Sequence, residues 1–245
     1  MTSPSRSLRV LIAVLALALV AAACGDDDSD GAATDSSDQV DDNGSGSPDE
    51  PAAIEGDLVG VFEIDAGDCA DGTVTSGSYF RMVNPGGTLE DGEFVRNGDS
   101  TCADPTWNAL VPGTAGGLDT GSVQAAPDPA FDATGNGLAA DIIEPVTFFG
   151  VAFAVGTEEP APVLVATDGV ISGDIASWTA FYGNEEFNQG SPKPDGSAPG
   201  LTAGPTGTID PETGVYVIDW SSQIVGGAFN DFTGVWHIEG TFVPA

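Results

Sequence analysis

Short segments in which apolar and polar residues alternate recur along this chain, and no segment keeps a helical period over several turns. Alternation is typical of strands, because successive side chains of an extended chain lie on opposite faces. Turn-forming runs such as 84–87 and 210–214 separate the alternating segments. The pattern predicts strands at 57–64, 73–83, 146–155, 163–166, 169–182, 215–221 and 234–242.

Many short strands and few helices favour an all-β fold. Residues 56–245 are enough for one domain with a substantial core. In the last predicted strand, Trp236, Ile238 and Phe242 share one face and polar residues occupy the other, as expected for a strand with one face in water. We therefore expect a single β-sandwich or barrel-like domain with long Gly/Pro-rich loops.

Two connections, 98–132 and 183–207, are long and rich in glycine and proline. Structureless loops beyond about 15 residues are uncommon in compact domains and are often functional or mobile. In the second connection, flanking prolines limit the backbone freedom of Lys193, which could orient an anionic or hydroxyl-bearing ligand. The alternative is a mobile hairpin tip. The candidate binding residues of this loop are Glu185, Glu186, Phe187, Asn188, Gln189 and Lys193.

The first 23 residues have the zones of a secretory signal helix. Arg6 and Arg9 precede an uncharged apolar run at 10–23, which is too short to span about 30 Å of hydrocarbon. The run ends in three alanines before Cys24 and resembles the lipobox of bacterial lipoproteins. The resemblance implies cleavage before Cys24, lipid on its sulfur and anchoring at the outer face of the cell membrane. An ordinary signal peptide is the alternative.

Residues 24–55 begin with that cysteine and continue mostly with aspartate, serine, glycine and alanine. Such a composition buries too little apolar surface to offset the entropy of ordering the chain. The segment is therefore predicted to be a disordered acidic tether between the lipidated cysteine and the domain.

The chain is strongly acidic, with 38 acidic and 5 basic residues. Residues 25–55 hold 11 of the acids, which leaves 27 in residues 56–245 beside Arg81, Arg96 and Lys193. This charge repels phosphate backbones and excludes nucleic acid as a partner. Solubility is one explanation of the charge, and attraction of cations or of a basic partner is the other.

With Cys24 assigned to lipid, Cys69 and Cys102 remain. Two leftover cysteines in an exported chain favour a disulfide. A metal site or a catalytic thiol would need partners, and His237 is the only histidine in the sequence.

A further resemblance rests on the segments 79–82, 112–118, 187–194, 224–230 and 234–237. They are similar to segments of uncharacterised secreted proteins of high-GC bacteria, and the likeness covers most of residues 57–242. Those proteins have no assigned activity, so the resemblance implies an exported single domain and transfers no catalytic residue.

Motifs for common chemistries are missing from the sequence. A serine hydrolase needs a base beside its nucleophile, and His237 would have to serve alone from the middle of a strand. No zinc cluster, P-loop or cofactor motif occurs. Carboxylate chemistry remains possible, because Glu185 and Glu186 follow Trp178 and Tyr182. The favoured explanation is that the two aromatic residues pack in the core and that the glutamates are solvated at the start of a loop. Calcium bound by loop aspartates is a weaker option, with Asp128, Asp132 and Asp141 as candidates.

These observations favour a surface-tethered, non-enzymatic binding lipoprotein whose ligand is a carbohydrate, a protein or a small solute. A secreted carboxylate-dependent hydrolase, similar to a glycosidase and using groups near Glu185 or Glu239, is the alternative.

Overall fold

The computed structural model describes residues 53–245, so the predicted signal segment, Cys24 and most of the predicted tether lie outside the described residues. Within residues 53–245 the chain forms fourteen strands and no helix, which confirms the all-β prediction. The strands are β1 (Gly56–Asp57), β2 (Gly60–Ile64), β3 (Tyr79–Val83), β4 (Asn108–Ala109), β5 (Gly117–Asp119), β6 (Val146–Phe148), β7 (Val151–Thr157), β8 (Val163–Thr167), β9 (Val170–Asp174), β10 (Trp178–Tyr182), β11 (Glu185–Asn188), β12 (Ala203–Ile209), β13 (Val215–Gln223) and β14 (Thr233–Pro244).

The larger sheet is antiparallel and has the strand order β1-β8-β9-β12-β13-β14-β2-β5. Its longest strand, β14, pairs with β13 along one side. Along its other side β14 pairs first with β3, from Thr233 to His237, and then with β2, from Gly240 to Pro244. Strand β4 pairs antiparallel with β3. Strand β14 thus pairs with three other strands. The sheet is curled.

Gly240 lies where β14 changes its partner from β3 to β2. A Cβ atom at this position would overlap the carbonyl oxygen of Glu63 on β2. A glycine is therefore required for the two backbones to approach this closely.

The smaller sheet has the order β11-β10-β7-β6. The prediction of one strand over 146–155 is wrong, because Phe149 and Gly150 adopt positive φ angles of 51° and 79° and turn the chain between β6 and β7. The prediction of one strand over 169–182 is also wrong. That segment forms β9 and β10, which lie in different sheets.

Three tryptophans join the two sheets in the main core. Trp220 and Trp236 face each other across β13 and β14, and their rings stack 5.7 Å apart. Trp178 from the smaller sheet contacts both rings edge-on, at 5.0 and 5.3 Å between centroids. All three side chains are buried. Removing one such ring typically costs about 3–5 kcal/mol, so this cluster is a principal link between the sheets.

The predicted strand at 73–83 is confirmed only from Tyr79 onward, and β4, β5, β11 and β12 were not predicted. Two of these strands, β11 and β12, take up part of the predicted loop 183–207 and leave 189–202 as the connection. Among residues 53–245 no helix has the length and hydropathy needed to cross a membrane.

Candidate functional site

The predicted binding loop does not expose its residues as a group. Glu185 and Glu186 are exposed at the start of β11, but Phe187 is only 6% exposed and packs edge-on against Phe229 at 5.5 Å. Gln189 is buried as well. The prediction that Phe187 is a binding residue is therefore wrong, because alternate residues of β11 point into the core.

Lys193 is also buried, with 7% of its surface exposed. Its Nζ donates to the backbone oxygen of Asn188 at 2.8 Å and to Oγ of Ser222 at 2.6 Å. Ser222 in turn donates to the backbone oxygen of Gly190 at 2.7 Å. Burial lowers the pKa of Lys193 from 10.5 to about 8. The ammonium group points inward and ties the loop to β13, so the expectation that it orients an external ligand is wrong.

Gln189 connects the same loop to the tryptophan core. Its backbone oxygen accepts a hydrogen bond from Nε1 of Trp220 at 3.0 Å, and its Oε1 accepts one from Nε1 of Trp236 at 3.2 Å. Its Nε2 has no partner and the side chain lines a cavity of about 30 Å³. A cavity of this size has room for about two water molecules.

Glu185 and Glu186 do not form a catalytic pair. As neighbours on a strand they point to opposite faces. Oε2 of Glu185 accepts a hydrogen bond from the backbone N–H of Ala228 at 3.2 Å, whereas Glu186 lines a groove on the other side. Glu239 lies on β14, on the outer face of the larger sheet, with Oε1 bonded to the backbone N–H of Gly77.

His237 lies between two carboxylates on that outer face. Its Nδ1 is 2.8 Å from Oδ1 of Asp219, and its Nε2 is 3.3 Å from Oε2 of Glu239. Burial lowers the pKa of His237, but its hydrogen bonds to the two carboxylates and their charges outweigh this effect and raise the pKa above 6.5. The ring stacks on Tyr79 with centroids 4.6 Å apart. This cluster is a cross-strand ladder, because Asp219, His237 and Tyr79 are register partners.

Arg81 continues this surface. Its guanidinium carbon lies 3.3 Å from the ring centre of Phe94 and 4.2 Å from that of Trp107. Trp107 also packs edge-on against Tyr79 at 4.7 Å. The aromatic faces here are occupied by each other and by the cation, so they hold the connection 98–132 against the sheet rather than offer a free platform.

Cys69 and Cys102 form a disulfide, as the cysteine count predicts. Their Cα atoms are 5.1 Å apart, within the range that a disulfide allows. The bond joins the turn after β2 to the connection 98–132.

An open groove lies over the outer face of the smaller sheet. Residues 123–131, rich in proline and alanine, run beside the ends of β7, β10 and β11 and leave a groove of about 610 Å³. We call it the Pro–Ala groove. This volume is within the range of about 300–1,000 Å³ that small-molecule sites span.

The wall of the Pro–Ala groove is fixed at both ends. Gln124 donates its backbone N–H to Oγ1 of Thr157 at 2.7 Å and accepts one from the backbone N–H of Thr157 at 2.9 Å. At the far end Phe131 packs on Phe181 at 6.0 Å between centroids and forms a bridge with Gly137. These contacts preform the groove, because the wall is bonded to the sheet on either side.

Four carboxylates surround the Pro–Ala groove, and we call them the rim carboxylates: Asp128, Glu158, Glu159 and Glu186. All four are exposed. The ion pairs of the described residues both belong to His237, so no basic side chain of residues 53–245 pairs with the rim.

Comparison of the chain with protein-family models, with curated proteins and with solved structures gave no significant match.

The loop aspartates considered for calcium are placed apart. Asp132 accepts hydrogen bonds from Thr134 and Asn136 of its own turn, and Asp141 accepts one from Thr114 at 2.7 Å. Asp128 belongs to the groove rim. Within residues 53–245 no three histidine, cysteine, aspartate or glutamate side chains are grouped to hold a metal ion.

Sequence reasoning overlooked the Pro–Ala groove, although its wall lies in the predicted connection 98–132. The available signal was the run 125–131, Ala-Ala-Pro-Asp-Pro-Ala-Phe, followed farther along by the pair Glu158 and Glu159. Nothing in the sequence places these two segments beside each other.

Proposed function

We propose that this protein is an extracytoplasmic lipoprotein, held at the outer face of the cell membrane by lipid on Cys24, whose domain binds a ligand in the Pro–Ala groove without converting it. The observation that supports binding is the groove itself, which is open, of ligand size and fixed at both ends. The Cys69–Cys102 disulfide agrees with a location outside the reducing cytoplasm.

Array binding with a groove-blocking variant tests the binding proposal. Ala125 is exposed and lines the groove, so Ala125→Trp fills the opening without entering the core. Ala198 is exposed elsewhere and gives the control Ala198→Trp. Wild type and both variants are applied to a glycan array and to an array of random hexapeptides. We expect wild type and Ala198→Trp to share their bound spots and Ala125→Trp to lose them.

An unchanged pattern for Ala125→Trp, with the variant folded as judged by circular dichroism, would show that the groove is not the binding site.

Lipid anchoring is tested separately by Cys24→Ser in the original host. The expected result is protein that is released into the medium or left unprocessed, since lipid on this cysteine is the proposed anchor. Cleaved variant that still fractionates with membranes as wild type does would contradict the lipoprotein proposal.

A further inference from the structure

The charge around the Pro–Ala groove comes from three separate parts of the chain. Asp128 belongs to the wall, Glu158 and Glu159 follow β7, and Glu186 lies on β11. All four line the same opening, and none of them has an ion pair with a side chain of residues 53–245. The opening therefore offers negative charge to a positively charged occupant.

The basic side chains of residues 53–245 are not available to the rim carboxylates. Lys193 donates inward to Asn188 and Ser222, and Arg81 lies between two aromatic rings. Arg96 is exposed but is not part of the groove lining. The complementary charge must therefore come from another molecule.

The floor of the Pro–Ala groove is apolar. Phe181 and Phe131 form it together with Ala126 and Ala130, and prolines stand in the wall. A metal ion or a bare ammonium ion would gain nothing from such a floor. Lysine and arginine side chains match both the apolar floor and the rim carboxylates. Their methylene stems lie along apolar surface while the charged ends reach polar groups.

We infer that the Pro–Ala groove binds a basic peptide segment of a partner protein, with lysine or arginine stems on the apolar floor and their charged groups at the rim carboxylates. The inference rests on the proposed function, since it names the ligand class of the same groove. Charge complementarity adds specificity and association rate to the contact that the floor provides.

Fluorescence anisotropy of the full-length protein in detergent with labelled nine-residue peptides tests this. The first peptide alternates lysine with alanine, and its two counterparts carry glutamine or glutamate in place of lysine. We expect the lysine peptide to bind at least tenfold more tightly than either counterpart. Binding should weaken when salt is raised from 50 to 300 mM, because exposed charges are screened.

Two charge variants separate the rim from the overall acidity of the domain. Glu158→Gln/Glu159→Gln/Glu186→Gln removes rim charge, and Glu63→Gln/Glu90→Gln/Glu212→Gln removes the same charge from exposed sites elsewhere. The first variant should lose tenfold or more in affinity for the lysine peptide. The second should remain within twofold of wild type. Equal losses would overturn the inference, because the general negative field would then account for binding.

The remaining outcomes distinguish the inference from the proposed function. If the glutamine peptide binds as tightly as the lysine peptide and Ala125→Trp abolishes both, the groove binds ligands but does not select cations. If calcium chloride or spermidine competes at equal concentration, the occupant is a simple cation and the peptide assignment is wrong. If Ala125→Trp binds every peptide as wild type does, the proposed function fails as well.

Discussion

The two long Gly/Pro-rich connections, 98–132 and 183–207, have similar compositions but different structures. The second turns inward: Phe187, Gln189 and Lys193 are buried, and the lysine amino group is fully engaged with oxygens of the protein. The first supplies β4 and β5 and buries Leu110 and Leu118, but its last part, 123–131, lies over the surface and leaves the Pro–Ala groove open. The carboxylates of that groove have no basic partner in residues 53–245.

The difference shows that composition alone does not decide whether a loop becomes core or site. Buried polar groups need partners, and Lys193 finds them in Asn188 and Ser222, which closes its loop. The rim carboxylates remain in water, where a charge has no need of a partner. The closed connection should therefore matter for stability, whereas the groove wall, residues 123–131, should matter for binding.

The largest expected effect on stability comes from removing the Cys69–Cys102 disulfide, which anchors the start of the connection 98–132. Replacing both Cys69 and Cys102 by alanine should lower the free energy of unfolding by roughly 3–4 kcal/mol, because the bond spans 33 residues and restricts the unfolded chain. Urea denaturation of the oxidised wild type and the double variant measures this. Dithiothreitol should destabilise only the wild type, and a loss below about 1 kcal/mol would argue against a formed disulfide.

The next effect tests the closure of the second connection. Lys193→Met should cost about 2 kcal/mol at pH 7, because Asn188 and Ser222 lose a charged donor inside the protein. Arg96→Met, at an exposed basic residue, should stay within about 0.5 kcal/mol of wild type. Urea denaturation compares the three proteins. If Lys193→Met has the same free energy of unfolding as wild type, the loop closes without the lysine.

The difference in stability between wild type and Lys193→Met should depend on pH. The folded pKa of Lys193 is about 8 and its ordinary value is 10.5, so between these values the unfolded chain holds a proton that the folded chain has lost. Stability from this group therefore rises with pH across that window. The difference in free energy of unfolding between wild type and Lys193→Met should grow from pH 8 to 10, and a constant difference would contradict the burial of the amino group.

A smaller effect on stability is expected at the ladder of Asp219, His237 and Tyr79, which contacts the connection 98–132 through Trp107. His237 has a raised pKa, so its stabilising contribution is complete below 6.5 and is lost as pH rises through the folded pKa. Wild type should lose up to about 1 kcal/mol relative to Asp219→Asn over that rise, since the pair is partly exposed. Thermal unfolding between pH 6 and 9 measures this, with Asp57→Asn as a control that should follow wild type.

The smallest effect is expected at the rim. Glu158→Gln/Glu159→Gln/Glu186→Gln should leave the free energy of unfolding within about 0.5 kcal/mol of wild type, because these groups are exposed and pair with no cation of residues 53–245. Any change should be a gain at low salt, where repulsion is strongest. A loss above about 1 kcal/mol, measured by urea denaturation, would assign the rim to the fold rather than to binding.

The sequence predicts those strands that carry regular alternation, such as β2, β8, β13 and β14. It fails for β12, whose Ala203-Gly204-Pro205-Thr206-Gly207 has a composition typical of a loop and becomes a strand through pairing with β9 and β13. It fails again at Phe149, where a bulky residue adopts a left-handed conformation that composition does not reveal.

The candidate site was less predictable than the fold. The disulfide follows from counting cysteines, which needs no spatial information. The Pro–Ala groove needs residues near 128, 158 and 186 to meet, and that proximity arises from the pairing of β7, β10 and β11. Phe187 and Lys193 have polar neighbours in the sequence but are buried in the structure, so local composition predicts their exposure wrongly.

The positions of the three basic residues also bear on how the domain resists proteases of trypsin specificity, which must fit a lysine or arginine side chain in a pocket of their own. Arg81 is held between two rings, and Lys193 is buried and followed by Pro194, which leaves Arg96 as the exposed cleavage point in residues 53–245. Arg96 lies between Cys69 and Cys102, so a cut there leaves both fragments joined by the disulfide.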